Sequence, residues 1–309
     1  MLLGLAAVFA VINGANDGGA MLAATLKVRG LPLIVSLAIF AAALVAVPRG
    51  LGTGVADTLT SGLVAADRAT QASLVGLGVV AAIAVVGSLT VTGMPTSLTL
   101  GVVGGIVGAG FGRGVPVAVG AVGRVLLIGV AAPIVGGVLA MVVSRVVATI
   151  LAVSDARRLA VLHRIATCLQ AVAYAANDGQ KILAVVAVTS IGVTLPTLVA
   201  VAALFAVGSM FGVGAAADTL GRQILRATPR EEVTAQFAAS LAVLGSAALG
   251  APVSMTQAVS GGLVGTGMLR GPRQVRWRVA EQLALAWVIT LPLAAVVGAL
   301  VAWLVGRLT

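Results

Sequence analysis

Two copies of the sequence Ala-Asn-Asp-Gly lie inside long apolar stretches, with asparagines at Asn16 and Asn177 and aspartates at Asp17 and Asp178. An ionised carboxylate at membrane depth is costly unless it faces a cavity and has a cation or a hydrogen-bond donor beside it. Carboxylate and amide oxygens suit a sodium ion, and the aspartates can equally hold a proton. We therefore predict cation coupling at the two aspartates, with interhelical hydrogen bonding as the alternative.

A second duplicated motif offers groups that bind an anion. A proline precedes a Ser-x-Thr sequence twice, at Pro95 and at Pro252. Proline in the first turn of a helix leaves unpaired backbone N–H groups, and these groups together with the helix dipole attract an anion. The hydroxyl groups that add further donors belong to Ser97, Thr99, Ser254 and Thr256. The alternative is that both copies are helix caps without a ligand.

Lys181 follows the second Asn-Asp motif within the same apolar stretch. A lysine inside a membrane needs a partner. Two partners remain open, since Lys181 can pair with Asp178 or can lie beside a substrate anion.

The composition requires an apolar environment for these motifs. Of the 309 residues 60% are hydrophobic and only 9% are charged, whereas soluble domains carry about 25% charged residues. The formal charge of +10 is spread in short clusters between apolar runs, which indicates membrane orientation and not nucleic-acid binding. The single histidine, His163, lies in a polar stretch and is expected to be solvated. The single cysteine, Cys168, supports neither a disulfide nor a metal site.

Apolar segments follow one another along the whole chain. They lie at residues 1–26, 31–47, 69–90, 95–110, 117–150, 165–188, 196–211, 233–250, 252–268 and 279–306. The short segments 95–110 and 252–268 are expected to be broken or re-entrant helices. Segment 117–150 contains Pro133 and is expected to bend or to form two helices. The predicted fold class is an all-α membrane protein with about 10–12 transmembrane segments.

The second half of the chain repeats the first in the same motif order. Basic residues favour opposite members of each pair of matching loops, as two repeats of inverted topology require. We predict a first inverted repeat at residues 1–153, a cytoplasmic linker at 154–164 and a second inverted repeat at 165–309. The expected location is the cell membrane, with several crossings and with both termini outside the cytoplasm.

The paired Gly-Ala-Asn-Asp and Ala-Asn-Asp-Gly-Gln-Lys motifs, the paired Pro-x-Ser-x-Thr motifs and the late Arg276-Trp277 sequence resemble the inorganic phosphate transporter family. The resemblance covers nearly the whole chain and implies a symporter, not an enzyme, that carries phosphate with sodium or with protons. It implies no cofactor besides that coupling ion, and membrane lipid as the surroundings; a homodimer stays open. It assigns substrate binding to Asn16, Ser97, Thr99, Asn177, Ser254 and Thr256, and cation coupling, with sodium as the candidate metal, to Asp17 and Asp178.

The chain departs from the family's hairpin motif, which commonly has another hydroxyl after the first serine and a histidine at its end. Leu98 and Met255 replace that hydroxyl, and Leu100 and Gln257 replace the histidines. Because both copies differ, the chain resembles a subgroup, and a sulfate permease of the same family is the alternative. An anion channel and an intramembrane enzyme are further alternatives. The enzyme is disfavoured because no Ser/His/Asp set or metal-ligand spacing appears.

Overall fold

The computed structural model describes residues 2–26, 28, 31–91, 96–150, 156–189 and 192–308, without the side chains of residues 49, 90–91 and 215–223. Pro95 of the first Ser-x-Thr motif lies outside these residues. Within them the chain is helical almost throughout, and β-type pairing is limited to one bridge between Val64 and Val117.

The helices follow the predicted apolar segments. They are α1 Leu2–Asn13, α2 Gly19–Leu26, α3 Leu33–Gly50, α4 Gly54–Asp57, α5 Arg68–Val91, α6 Leu98–Gly112, α7 Val119–Ile150, α8 Ala156–Tyr174, α9 Gln180–Ala187, α10 Leu195–Gln223, α11 Pro229–Ala248, α12 Met255–Arg270 and α13 Trp277–Leu308. Three π-helical segments occur at Gly14–Gly18, Thr58–Gly62 and Ala175–Gly179, and a 3-10 turn occurs at Pro272–Gln274.

Six helical stretches of the described residues are long and apolar enough to cross a membrane. They are Leu2–Leu26, Arg68–Leu89, Val119–Ile150, Ala156–Ala187, Leu195–Gly214 and Trp277–Leu308. The other predicted segments correspond to α3, α6, α11 and α12, which are shorter or carry more charge. The predicted all-α membrane fold is thereby confirmed.

Two local expectations need correction. Residues 156–164 of the expected linker are the first turns of α8, and His163 is fully buried rather than solvated. It is buried because α8 packs against α3 and α11, and because its Nε2 finds the Thr25 carbonyl oxygen at 3.0 Å. Of the two outcomes expected around Pro133, a division into two helices does not occur, because the segment is the single helix α7. Neighbouring helices re-satisfy the backbone groups that a proline frees in a membrane helix.

A row of buried polar side chains runs along one side of α8. It comprises His163, Thr167, Gln170 and Tyr174, which are spaced by three or four residues and therefore share one helix face. Each of these side chains has at least one nitrogen or oxygen without a hydrogen-bond partner among the described residues. Buried polar groups are normally satisfied, so a row of unpartnered atoms on one helix face is unusual.

The two halves pack in matching ways. Helix α6 of the first half lies against α5 of the same half and against α13 of the second half. Helix α12 of the second half lies against α11 of the same half and against α7 of the first half. Glycines make both contacts close: a Cβ added at Gly108 would lie 1.9 Å from the Ala295 oxygen, and one at Gly261 would lie 1.9 Å from the Pro133 oxygen. The backbones thus approach as small residues allow in membrane helices. This fixes α6 and α12, whose first residues carry the Ser-x-Thr motifs.

Candidate functional site

Both Asn-Asp motifs form π-helical turns inside longer helices. Gly14–Gly18 joins α1 to α2, and Ala175–Gly179 joins α8 to α9. Asp17 and Asp178 are buried in these turns, at 1% and 0% exposure. Single π-turns within α-helices are rare and occur frequently at functional sites. The matching turns therefore present the two carboxylates from equivalent positions of the two halves.

The two Ser-x-Thr motifs begin short helices within the fold. Helices α6 and α12 have 15 and 16 residues. Such helices extend roughly 24 Å, less than the ~30 Å hydrocarbon core of a bilayer. Ser97 is the N-cap of α6 and its Oγ accepts from the Leu100 N–H at 3.4 Å; Ser254 is the N-cap of α12. All residues of α6 except Phe111 are buried or half-buried, so this helix start lies inside protein.

The start of α6 contacts the segment that precedes α12. The Thr99 Oγ1 donates a hydrogen bond to the Val253 carbonyl oxygen at 3.1 Å. On the α12 side the hydroxyl groups of Ser254 and Thr256 lie 2.7 Å apart and share a hydrogen bond. The structure therefore brings Thr99 next to the second motif, so the two helix starts lie together as the anion-site prediction requires.

Lys181 lies at the centre of this contact. Its Nζ donates to the Thr99 Oγ1 at 2.5 Å, to the Val253 carbonyl oxygen at 2.6 Å and to the Asp178 Oδ1, with which it forms a salt bridge. The lysine is only 1% exposed. One of the two partners left open by the sequence, the Asp178 carboxylate, thus forms an ion pair with the lysine. The pair links the second Asn-Asp motif to both helix starts.

Asn177 holds the backbone before α12 in place. Its Nδ2 donates to the Ala251 carbonyl oxygen at 2.9 Å, and its Oδ1 accepts from the Val253 N–H at 3.1 Å. Both ends of the amide are thus bonded to the non-helical segment that leads into α12. This is the local reason why a lysine partner, the Val253 carbonyl oxygen, points into the site.

The first Asn-Asp motif is arranged differently. The Asn16 Nδ2 donates to the neighbouring Asp17 Oδ1 at 3.3 Å, and Asn16 is only half-buried. Asp17 lies within electrostatic range of Asp178 and Lys181. The two motifs are also joined directly, because the Asn13 Nδ2 contacts the Asp178 carbonyl oxygen at 3.5 Å. The carboxylates therefore belong to one buried site.

Several buried polar atoms at this site have no hydrogen-bond partner among the described residues. They are the Asp178 Oδ2, the Asn13 Oδ1, the Thr96 Oγ1 and the Tyr174 hydroxyl. Leaving one such group unpaired costs about 1–3 kcal/mol. These unpartnered atoms lie beside the two carboxylates and the two helix starts, where they could bind a polar ligand.

Sequence reasoning missed some residues that build the site. The Gln180 Oε1 accepts from the Val55 and Ala56 N–H groups at 2.8 and 3.1 Å, and its Nε2 donates to the Gly52 oxygen at 2.9 Å. Gln180 thereby fastens α4 to the second π-turn. Tyr174 packs between the rings of Phe40 and Phe205. The sequence signal for these residues is a glutamine and a tyrosine in the apolar stretch around the second Asn-Asp motif. Their distant partners cannot be deduced from local sequence.

The fold and the site define a transport protein: a multi-pass helical membrane protein in which two half-helices begin beside buried charges. A family model described as the phosphate transporter family matches residues 152–298. A Mycobacterium leprae protein described as a probable low-affinity inorganic phosphate transporter is 32% identical over 96% of this chain and 75% of its own length. A Rhizobium meliloti protein of the same description is 29% identical over 97% of this chain and 95% of its own.

The chain therefore belongs to the phosphate transporter family. Its family resemblance is confirmed, and its relatives are described as transporters and not as enzymes. A solved structure described as the sodium-dependent phosphate transporter matches with a TM-score of 0.83 at 20% identity, over 100% of both chains. At this identity the likeness shows the fold.

Proposed function

We propose that this protein is an ion-coupled symporter that carries inorganic phosphate across the cell membrane. The observation that carries the proposal is the contact between the start of α6 and the segment before α12, made beside Asp178 and Lys181. Helix N-termini attract anions, and carboxylates attract cations. One buried site with both features suits an anion that crosses together with a cation.

Each predicted residue has a role in this proposal. Asp17 and Asp178 form the cation-coupling part, with sodium or a proton as the coupling ion. The anion lies at the helix starts, where its donors are backbone N–H groups and hydroxyl groups. The anion-site residues are Asn16, Ser97, Thr99, Asn177, Ser254 and Thr256. Asn177 and Thr99 act there through the backbone before α12, since both ends of the Asn177 amide and the Thr99 hydroxyl hydrogen are bonded to residues 251–253.

Phosphate is preferred to sulfate because of an acceptor in the site. At neutral pH phosphate carries at least one O–H group, which needs an acceptor, whereas sulfate offers none. The Asp178 Oδ2 is buried and has no hydrogen-bond partner among the described residues. Sulfate remains the second candidate because buried Leu98 and Met255 supply no hydroxyl group at the helix starts, so the site has fewer donors than the family's motif would give.

The direct test is uptake by the purified protein in proteoliposomes. Radiolabelled phosphate and radiolabelled sulfate are offered separately, with a sodium gradient and a proton gradient imposed one at a time. Saturable phosphate uptake driven by one of the gradients is the expected result. Non-saturating flux would indicate a channel, and accumulation of sulfate alone would assign the substrate to the second candidate.

The anion site has its own test. Losing one hydroxyl hydrogen bond to a charged ligand costs about 1.5–3 kcal/mol, or roughly one to two decades in affinity. Ser97→Ala and Ser254→Ala should therefore raise the KM for phosphate with little change in protein yield. If both variants transport with the KM of the unmodified protein, these serines are helix caps only.

We also propose that residues 1–153 and 165–309 are inverted repeats with both chain ends outside the cytoplasm. A cysteine at Leu3 or at Leu308 should then react with an impermeant thiol reagent in intact cells, and one at Arg157 should not. The background is Cys168→Ser, which removes the single native cysteine. Labelling at Arg157 alone would reverse the orientation.

A further inference from the structure

We propose that the Lys181 ammonium is a resident cation that permanently fills, beside Asp178, the place of a mobile coupling cation. Each transport cycle would then use one mobile cation, bound at Asp17. This inference rests on the proposed function, because it concerns the cations that accompany the anion.

The partners of Lys181 are those that a bound alkali cation would have. The ammonium contacts a carboxylate oxygen of Asp178, the hydroxyl oxygen of Thr99 and the backbone carbonyl oxygen of Val253. Carboxylates and unwound backbone carbonyls coordinate the driving cation in transporters built on broken helices. The lysine thus completes an all-oxygen cation site with a charge that belongs to the chain.

The hydrogen-bond count leaves no donor of Lys181 free for the anion. An ammonium group has three N–H donors and no acceptor. The three oxygens of Asp178, Thr99 and Val253 match these donors, and the side chain is 1% exposed. All three donors of the lysine are therefore used by the Asp178 carboxylate and by the two helix starts.

The first motif lacks such a charge. Three residues after Asp178 stands Lys181, whereas three residues after Asp17 stands Ala20. Among the described side chains Asp17 forms no ion pair, and its recorded hydrogen bond comes from the neutral amide of Asn16. One carboxylate is already neutralised, and the other still needs a cation to be buried at low cost. This asymmetry places the mobile cation at Asp17.

The number of mobile cations used in each transport cycle can be measured through the cation dependence of phosphate uptake in proteoliposomes. The unmodified protein should respond to the coupling cation, sodium or proton, with a Hill coefficient of about 1, since the coefficient cannot exceed the number of sites. Lys181→Met keeps the length of the side chain and removes its charge. Asp178 then needs a second mobile cation, so the Hill coefficient should rise toward about 2.

A double variant distinguishes two roles of Lys181, that of a resident cation and that of a residue that binds the anion. Asp178→Asn combined with Lys181→Met removes both charges of the pair, and the cation dependence should return to that of the unmodified protein. If Lys181 instead bound phosphate, the double variant would keep the high KM of Lys181→Met. Should Lys181→Met fail to fold, the double variant decides alone, because it leaves no unpaired buried charge.

Ile182→Met is the matched control. It changes the next buried residue of α9 without changing charge, so its Hill coefficient should equal that of the unmodified protein. The proposal is overturned if the unmodified protein already shows a Hill coefficient near about 2, or if transporting Lys181→Met keeps the unmodified cation dependence. Absence of phosphate and sulfate uptake in the unmodified protein would instead refute the proposed function.

Discussion

The two asparagines of the duplicated motif should respond very differently to truncation. Asn177 bonds the backbone before α12 at both ends of its amide, at 2.9 and 3.1 Å, whereas the recorded bond of Asn16 is one contact of 3.3 Å to its neighbour Asp17. Asn177→Ala therefore leaves a buried carbonyl of Ala251 and a buried N–H of Val253 without their partner. Among the described residues Asn16 bonds a side chain and no backbone group, so Asn16→Ala leaves no backbone group without its partner.

The structure gives the size of the difference. Each unpaired buried group costs about 1–3 kcal/mol, so Asn177→Ala should lose about 2–6 kcal/mol of stability. For Asn16→Ala the lost bond is worth about 1.5 kcal/mol, the low end of the range for hydrogen bonds to charged groups, because it is long and its donor is only half-buried. The Asn177 variant should also have a lower transport rate, because the Val253 carbonyl oxygen that contacts Lys181 is no longer fixed.

Thermal unfolding of both purified variants in the same detergent measures the stability difference, and phosphate uptake measures the transport rate. Asn177→Ala should have the clearly lower Tm, with Asn16→Ala close to the unmodified protein. Equal values of Tm, together with an equal rise in the KM for phosphate, would refute the idea that Asn177 holds the backbone before α12 in place. Such a result would mean that both amides bind the anion directly.

Three further predictions concern other parts of the fold. Asp17→Asn should abolish cation-driven uptake while the protein still elutes as a folded species, because a neutral amide is cheaper to bury than a carboxylate. Gly108→Ala should sharply reduce folded protein, since its Cβ would lie 1.9 Å from a backbone oxygen of α13, whereas Gly120→Ala meets nothing within 4 Å and should be tolerated. In a cysteine-free background, Thr167→Cys should resist a water-soluble thiol reagent while the protein is folded and should react once the protein is denatured, because this side chain is fully buried.

The sequence was sufficient for the helices because their signal is local. Apolar runs of about 20 residues predict membrane helices without knowledge of the tertiary fold. The proline and serine before α12 predicted a helix start there, which the structure confirms. The burial of His163 could not be predicted in this way. It depends on Thr25, far away in the chain, which supplies a carbonyl oxygen.

The site was predicted as a set of residues but not as a set of contacts. Asp178, Thr99 and the segment around Val253 lie in three separate stretches, and the sequence repeat indicated that they are related without saying which atoms meet. Lys181 was ambiguous because an ammonium group pairs with a carboxylate and with an anion by the same chemistry. The tertiary fold puts oxygens of Asp178, Thr99 and Val253 around its Nζ, an arrangement that the sequence alone does not predict.

A duplicated motif specifies equal positions, but equal positions do not impose equal roles. Asn16 and Asn177 stand at the same place in matching π-turns, yet one bonds its neighbour and the other bonds the backbone of residues 251–253. What an amide does is decided by the backbone within its reach. The same divergence separates Ala20 from Lys181. Because a single lysine neutralises one of two matching carboxylates, a nearly symmetric sequence yields a site with one fixed positive charge.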